Sequence, residues 1–500
     1  MSVLGFYLRF ADRMDAQANA RLQALTRRLL QHPLPGVTDL IPSYASLYIE
    51  YDPTTVNEAR VRSWAAQQGA QARTEEPGRT VTIPVRYDGE DLPEVTARLK
   101  LSRDEFVRRH SGAAYRVYAV GFSPGFPFLG EVDADLRLPR RPNPRARVPA
   151  HSVAMANAQT GIYPLASPGG WNLLGHTLVS LYDPHRPEPF LLESGDEVRF
   201  QESGGDIPPE PPALELLPAS PQLPLFEVAA PGLLDLMVDM GRRMVGRFGL
   251  SRTGAQAPAL ARLANRLVGN DAHTPLLELN VQGPVLRALR TGSAVFAGYG
   301  MTPLLNDRPV APFTTFTVRE GDTLRFAGAP FGVRGYLAVA GGFESRSFLG
   351  SASVDLRGLV GRPLRRGDVL GVAAPRPVQA GFSFTPYFPA RDPEVLRLLP
   401  GPQASPAALR ALASGTFTVK TADRTGVQFE GTPVPGGEIL SEAVPIGAVQ
   451  VTPGGTPILL LHDRGTLGGY DKPALLHPGD FTRASQLRPG GRVRFRVLPN

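Results

Sequence analysis

Glycine and proline together fill 104 of the 500 positions, and this narrows the fold more than any other feature. The share is about 21 % where ordinary chains carry ~12 %. The excess has no period and is interleaved with Val, Leu and Phe, which excludes collagen and argues against long helical bundles. Short strands joined by many tight turns fit it best. Cysteine is absent, so disulfides, thiolate metal sites and cysteine nucleophiles are excluded. Residues 1–20 carry Arg9, Asp12, Arg13 and Asp15 and lack the apolar core of a signal peptide. No apolar run reaches the ~18 residues of a spanning helix. A cytoplasmic chain with no membrane partner is expected.

The alternation of apolar residues divides the chain. Residues 4–10 read as a strand and 16–30 as a helix, through Ala18, Leu22, Leu25 and Leu29. Leu47, Ile49 and Tyr51 alternate, a second helix is expected over 55–68, and Val81, Ile83, Val85 and Tyr87 alternate again. This β-α-β-β-α-β order predicts a small ferredoxin-like α/β domain over 1–88. Two short helices follow; the second opens on a capping box, Ser102-Arg-Asp-Glu105, and stops at Gly112. A β-barrel over 89–203 comes next. Residues 204–224 are Pro-rich and read as a linker. The rest is mostly β, with a β-barrel expected over 225–372 and another over 373–500, helices from Pro258 to Gly269 and from Pro406 to Ala413, and a hairpin turn at Asn306-Asp307. Gly195-Asp-Glu-Val-Arg-Phe200, Gly321-Asp-Thr-Leu-Arg-Phe326 and Gly490-Gly-Arg-Val-Arg-Phe495 form a weak repeat, which suggests similar β modules.

Net charge is +7, almost all of it from Arg; Lys100, Lys420 and Lys472 are the only lysines. The densest basic stretch, residues 137–147, has no interleaved aromatics for stacking bases. It reads as a solvated or anion-facing loop, and no nucleic-acid partner is expected. Three loops can carry chemistry. Gly121-Phe-Ser-Pro-Gly-Phe-Pro-Phe-Leu-Gly130 is either a rigid barrel loop or a pocket wall built from Ser123 and Phe126. Gln159, Tyr163, Trp171 and Asn172 place amides, a phenol and an indole within fourteen residues; they suit a small polar ligand with one flat face, or anchor a barrel. Asp463, Arg464, Gly468, Gly469, Tyr470 and Lys472 combine exposed amides with cations; this is either an anion site, with Lys472 neutralising the charge, or a solvated hairpin. It is not a Walker A loop. Histidines 151, 176 and 462 lie near these loops and can act as acid or base. No metal-ligand spacing is present, no catalytic base can be assigned, and Gly-x-Ser-x-Gly is absent.

Those loops carry a resemblance. Tyr115-Arg-Val-Tyr-Ala-Val-Gly-Phe-Ser-Pro-Gly-Phe-Pro-Phe-Leu-Gly130, Gln159-Thr-Gly-Ile-Tyr-Pro164 and Ser167-Pro-Gly-Gly-Trp171 resemble the B-component family of 5-oxoprolinase, also called allophanate hydrolase subunit 1 or kinase-inhibitor-like. Arg262-Leu-Ala-Asn-Arg-Leu-Val-Gly-Asn270, Tyr336-Leu-Ala-Val-Ala-Gly-Gly342 and Gly468-Gly-Tyr470 resemble its C component, the biotin-dependent carboxyltransferase-like family. The resemblance implies a fused B/C protein built of cyclophilin-like β-barrels behind the α/β domain. It implies a protein that, with a separate A component, opens the lactam of 5-oxo-L-proline using ATP with Mg2+; homo-oligomers are allowed. No biotin-carrier Met-Lys-Met motif is present. The alternatives are a related amide- or urea-directed enzyme and a regulator that binds a histidine kinase.

The sequence departs from the family pattern at several polar loop positions. Asp235 stands where Thr is usual, and Thr253-Gly-Ala-Gln-Ala-Pro258 replaces Ser-Gly-Ala-Met-Asp-Pro. That exchange removes a helix N-cap at Ala257, worth about 1 kcal/mol. Ala297-Gly-Tyr-Gly300 replaces Thr-Gly-Ala-Asp. The pattern is consistent with altered or lost chemistry in the second half.

Overall fold

The computed structural model describes residues 4–72, 78–328, 332–384 and 386–499. The chain begins with a three-stranded antiparallel sheet in the order Leu4–Arg9, Ser46–Tyr51, Val37–Pro42. Helices Ala16–Gln31 and Glu58–Gly69 cover it. Their stripe of Leu22, Leu25, Leu29 and Val61 buries against Leu40, Leu47 and Ile49. Asp15 caps the first helix by accepting from Ala18 N at 2.7 Å.

The fourth strand expected for this sheet belongs elsewhere. Thr80–Arg86 runs parallel to Glu197–Glu202 and antiparallel to Asn172–Thr177, inside the first barrel. Ile83 and Val85 are its fully buried residues. The alternation correctly marks a half-buried strand, but alternation is blind to which sheet supplies the partner. The small unit therefore ends before residue 80 rather than at 88.

Two closed seven-stranded barrels follow, one in each half of the chain. The first runs Asn172–Thr177, Thr80–Arg86, Glu197–Glu202, Ala114–Val120, Pro127–Gly130, Gln159–Ile162, Ser152–Ala156. The last runs Ala474–Leu476, Glu394–Pro400, Arg492–Val497, Thr416–Ala422, Gly426–Glu430, Pro457–Leu460, Ala448–Val451. Every strand has a counterpart at the same place, including the single parallel pair. Each barrel also carries a two-stranded flap, Arg145–Val148 with Ser167–Gly169 and Glu438–Ala443 with Leu467–Tyr470. The weak repeat marks this duplication. Gly195 and Gly490, at φ +97° and +81°, turn the chain into equivalent strands, whereas Gly321 feeds a strand of the middle unit.

The middle unit, expected as a barrel over 225–372, is two open sheets of six and five strands. Helix Pro258–Leu267 packs on strands Gly292–Gly298 and Arg334–Val339 of the five-stranded sheet. That sheet is covered on both faces, as the wholly buried Arg334–Val339 shows, and so forms a middle layer. The Pro-rich segment is not a free linker. Leu214 exchanges backbone hydrogen bonds with Leu359 and Gly361, and Leu216 enters the middle core. Among the described residues, no helix is long and apolar enough to cross a membrane.

Because the strap stays with the second half yet also bonds the first, Glu210 accepting from Ala166 N at 2.9 Å and Pro212 O from His185 Nε2 at 3.1 Å, and charged side chains join the units, the two halves should hold without a covalent link. A protease site inserted between Gly204 and Gly205, once cleaved, is expected to leave both fragments co-eluting on size exclusion. Separate elution would show that the fusion itself supplies the association.

Candidate active site

In the first half, Phe126 lies at the centre of an aromatic cluster, with ring centroids 4.8 Å from Phe128, 5.1 Å from Tyr163 and 5.7 Å from Trp171. The cluster occupies the outer face of the barrel, since Leu129, next to Phe128, points into the barrel core. Gly161 makes room for it; a Cβ there would lie 3.0 Å from Trp171 Cζ3. Phe126, Tyr163 and Trp171 are thus brought together, but as packed, buried rings rather than an open wall. Asn172 is a strap: its Nδ2 donates to Pro139 O at 3.0 Å and Met155 O at 3.2 Å. Gln159 Nε2 donates to Tyr44 Oη at 2.7 Å. The basic stretch above is largely neutralised, with Arg141 and Arg145 both on Asp91 and Arg137 on Glu131.

In the second half, Lys472 is fully buried. Its Nζ sits 3.2 Å from Glu442 Oε1, and Glu442 also takes Arg9 at 2.6 Å. Burial holds the Lys472 pKa below the usual lysine value, against the pull of Glu442. Its charge is already matched, so it does not stand as the exposed anion-neutralising group expected from sequence. Gly468, Gly469 and Tyr470 are half-buried in the flap strand Leu467–Tyr470. Asp463 and Arg464 lie deeper. Asp463 Oδ2 accepts from Arg424 Nε at 2.8 Å, and Arg464 Nε donates to Val444 O at 2.6 Å.

The two signature loops meet. A Cβ on Gly121 would lie 2.4 Å from Leu467 Cδ1, and Arg357 donates to both Phe122 O (3.0 Å) and Asp463 O (3.3 Å). Along this seam Ser123 Oγ, Gln450 Nε2, His462 Nδ1, Arg464 Nη1 and Thr466 Oγ1 are buried without a hydrogen-bond partner among the described residues. Such a concentration of orphaned polar atoms is unusual in a folded chain and equips the seam to hold a small polar molecule.

Four carboxylates and four guanidinium groups surround the seam. Glu50 accepts from Arg252 Nη1 at 2.8 Å and from Thr38 Oγ1 at 2.8 Å. Glu278 binds Arg424, accepts from Tyr336 Oη at 2.8 Å, and lies 3.9 Å from Arg334. Asp39 accepts from Leu40 N at 2.9 Å and Gly246 N at 3.1 Å; burial, reinforced by Glu50, pushes its pKa to about 7. Burial likewise lifts Asp463 to about 6 despite Arg424. Arg464 is pushed down by burial while Glu50, Tyr48 and Asp39 hold its charge. Burial and four neighbouring arginines keep His462 far below the usual imidazole range, so it is neutral. His176 instead pairs with Asp88 at 2.8 Å in the first half. Asp39, Glu50, Arg252, Glu278 and Arg424 escape the sequence reading. Their signal is a charged residue inside an apolar strand, as in Val-Thr-Asp39-Leu-Ile and Leu-Leu-Glu278-Leu.

The description "Carboxyltransferase domain, subdomain C and D" matches residues 2–192, and "Carboxyltransferase domain, subdomain A and B" matches residues 248–497. The chain belongs to the carboxyltransferase-domain family. Its first part is 36 % identical over 208 residues to the B component of 5-oxoprolinase from Bacillus subtilis (strain 168), covering 39 % of this chain and 87 % of that protein. Its second part is 33 % identical over 274 residues to the C component of 5-oxoprolinase from Haemophilus influenzae, covering 52 % of this chain and 87 % of that protein. The crystal structure of TTHA0988 superposes with a TM-score of 0.95 at 55 % identity, over 99 % of this chain and 100 % of that one. This carboxyltransferase-domain protein is thus a B/C fusion, and the seam lies where its C/D and A/B parts touch.

Arg424→Ala strands Glu278 and Asp463 in the interior and should cost about 3–5 kcal/mol in urea unfolding; a loss under about 1 kcal/mol would remove the network from the structural account. Asp39 titrates near 7 folded and near 3.8 unfolded, so its contribution to stability is full below the lower value and is lost as pH rises to the upper one. Asp39→Asn should flatten the fall in urea midpoint across that window. An unchanged slope would place its folded pKa near the unfolded value.

Proposed function

We propose that this chain is the B/C component of an ATP-dependent 5-oxoprolinase, which with a separate A component opens 5-oxo-L-proline to L-glutamate. The observation that carries the reading is the shared seam: loops typical of both the B and C families meet around orphaned donors and an acid whose pKa is about 7. A lactam carbonyl is a poor electrophile, and the nitrogen it releases needs a proton. Asp39, near half-protonated at neutral pH, suits that delivery. Arg464 Nη1 and Ser123 Oγ, both orphaned donors, suit the substrate carboxylate or the developing oxyanion. ATP supplies the phosphoryl group that activates the carbonyl oxygen; water adds at the carbonyl carbon as the C–N bond breaks, and the phosphoryl group leaves as phosphate. The Lys472 loop does not fit a triphosphate, because its ammonium is enclosed and matched by Glu442, so no phosphate contact is assigned there.

The test is ADP release by the purified chain with its cognate A component, with and without 5-oxoproline. Stimulated release with glutamate formation is expected, and Asp39→Asn should lower kcat by about 100-fold or more. A folded, partner-bound chain that gives no stimulation would overturn the reading and turn attention to other lactams and amides.

A further inference from the structure

A cleft of about 570 Å³ opens between the middle unit and the last barrel. It shares no lining residue with the seam. One wall is aromatic: the rings of Tyr299 and Phe388 stack 4.1 Å apart at 13°, and Tyr387 stands at the rim, 91 % exposed. The other wall is cationic. Arg397 and Arg496 are direct neighbours across the parallel strand pair, and Arg391 joins them at the edge. Asp480 takes Arg397 at 2.7 Å, and Glu394 takes Arg483 at 2.8 Å while its guanidinium lies 4.5 Å from the Phe388 centroid. Arg391 and Arg496 have no carboxylate partner among the described residues.

Like charges placed side by side on a sheet repel. Two unmatched guanidinium groups beside a third therefore leave an excess that a multivalent anion would relieve, with fork geometry suited to phosphate. The exposed Tyr387 ring offers a flat heterocycle a stacking surface. The volume matches a nucleotide-sized ligand, and junctions between units are where such sites occur.

We propose that this cleft binds a nucleoside di- or triphosphate, with the base against Tyr387 and the phosphates on Arg391, Arg397 and Arg496. The site deepens the function proposed above and rests on that reading only for naming the nucleotide as ATP.

Isothermal titration calorimetry on the full chain alone, with MgATP, ADP, adenosine and pyrophosphate as separate ligands, tests it. Saturable binding of ATP and ADP is expected, tighter than either adenosine or pyrophosphate. The double variant Arg391→Ala/Arg496→Ala should weaken ATP by about tenfold or more, with more salt-sensitive affinity in the wild type. Tyr387→Ala should weaken ATP but not pyrophosphate. These side chains are exposed and carry no carboxylate partner, so unfolding midpoints should not move. No saturable binding, equal affinity for pyrophosphate and ATP, or variants that bind like wild type would each overturn the assignment. Binding needs neither the A component nor 5-oxoproline. Nucleotide binding without stimulated ADP release would keep the cleft and remove the reaction; stimulated release without binding by the chain alone would do the reverse.

Discussion

Arg424 reaches out of the last barrel to hold Glu278 of the middle unit and Asp463 of its own barrel, and all three are buried. A carboxylate with no exposure in the strand Leu276–Asn280 could not remain ionised alone; its desolvation cost is several kcal/mol. Burial does tend to raise the Glu278 pKa, yet Arg424 and Arg334 outweigh it and leave the group below its usual value. The last barrel is therefore not an appendage but the source of the counter-charge that lets the middle unit fold with Glu278 inside. Arg252 does the same for Glu50 of the small N-terminal unit. These pairs specify which surfaces meet, since any other docking would separate Glu50 from Arg252 and Glu278 from Arg424.

Duplication of one barrel has produced two different environments. The segments after strands Gln159–Ile162 and Pro457–Leu460 occupy equivalent places and end in Gly-Gly-Trp171 and Gly-Gly-Tyr470. The first became an aromatic packing block around Phe126, with little charge. The second kept Asp463, Arg464 and Lys472 and buried all three. The first barrel's 121–126 loop then meets the second segment through Gly121 and Leu467. One copy supplies shape and the other supplies charge, and only their contact makes a seam with both.

Local structure was legible in the sequence to the residue in places. Helix Pro406–Ala413 matches the reading, and Asn306 and Asp307 adopt the left-handed pair a tight hairpin needs. Ser102 caps its helix through Glu105 N, although the Glu105 carboxylate turns to Arg108 and Arg109 instead of closing the capping box. Long-range partners were not legible. Thr80–Arg86 looks the same whether it completes one sheet or opens the next barrel. Lys472 looks like a free cation until Glu442, thirty residues earlier, is placed on it. Asp39 and Glu50 carry no motif; Gly246 N and Arg252 of the middle unit reach them only once the units fold together.

The departures from the family pattern acquire a physical meaning in this light. Loss of the helix cap at Ala257 is compensated, because the Tyr336 hydroxyl accepts from Ala257 N at 2.7 Å while donating to Glu278. Asp235, where Thr is usual, accepts from Gly232 N at 2.6 Å and fastens that turn, and burial lifts its pKa to about 7. The exchange to Ala297-Gly-Tyr-Gly300 removes two polar side chains but adds the Tyr299 ring, which stacks on Phe388 to form the aromatic wall of the second cleft. At these three positions the chain carries a side-chain cap on Ala257 N, a turn clasp at Asp235 and an aromatic platform at Tyr299.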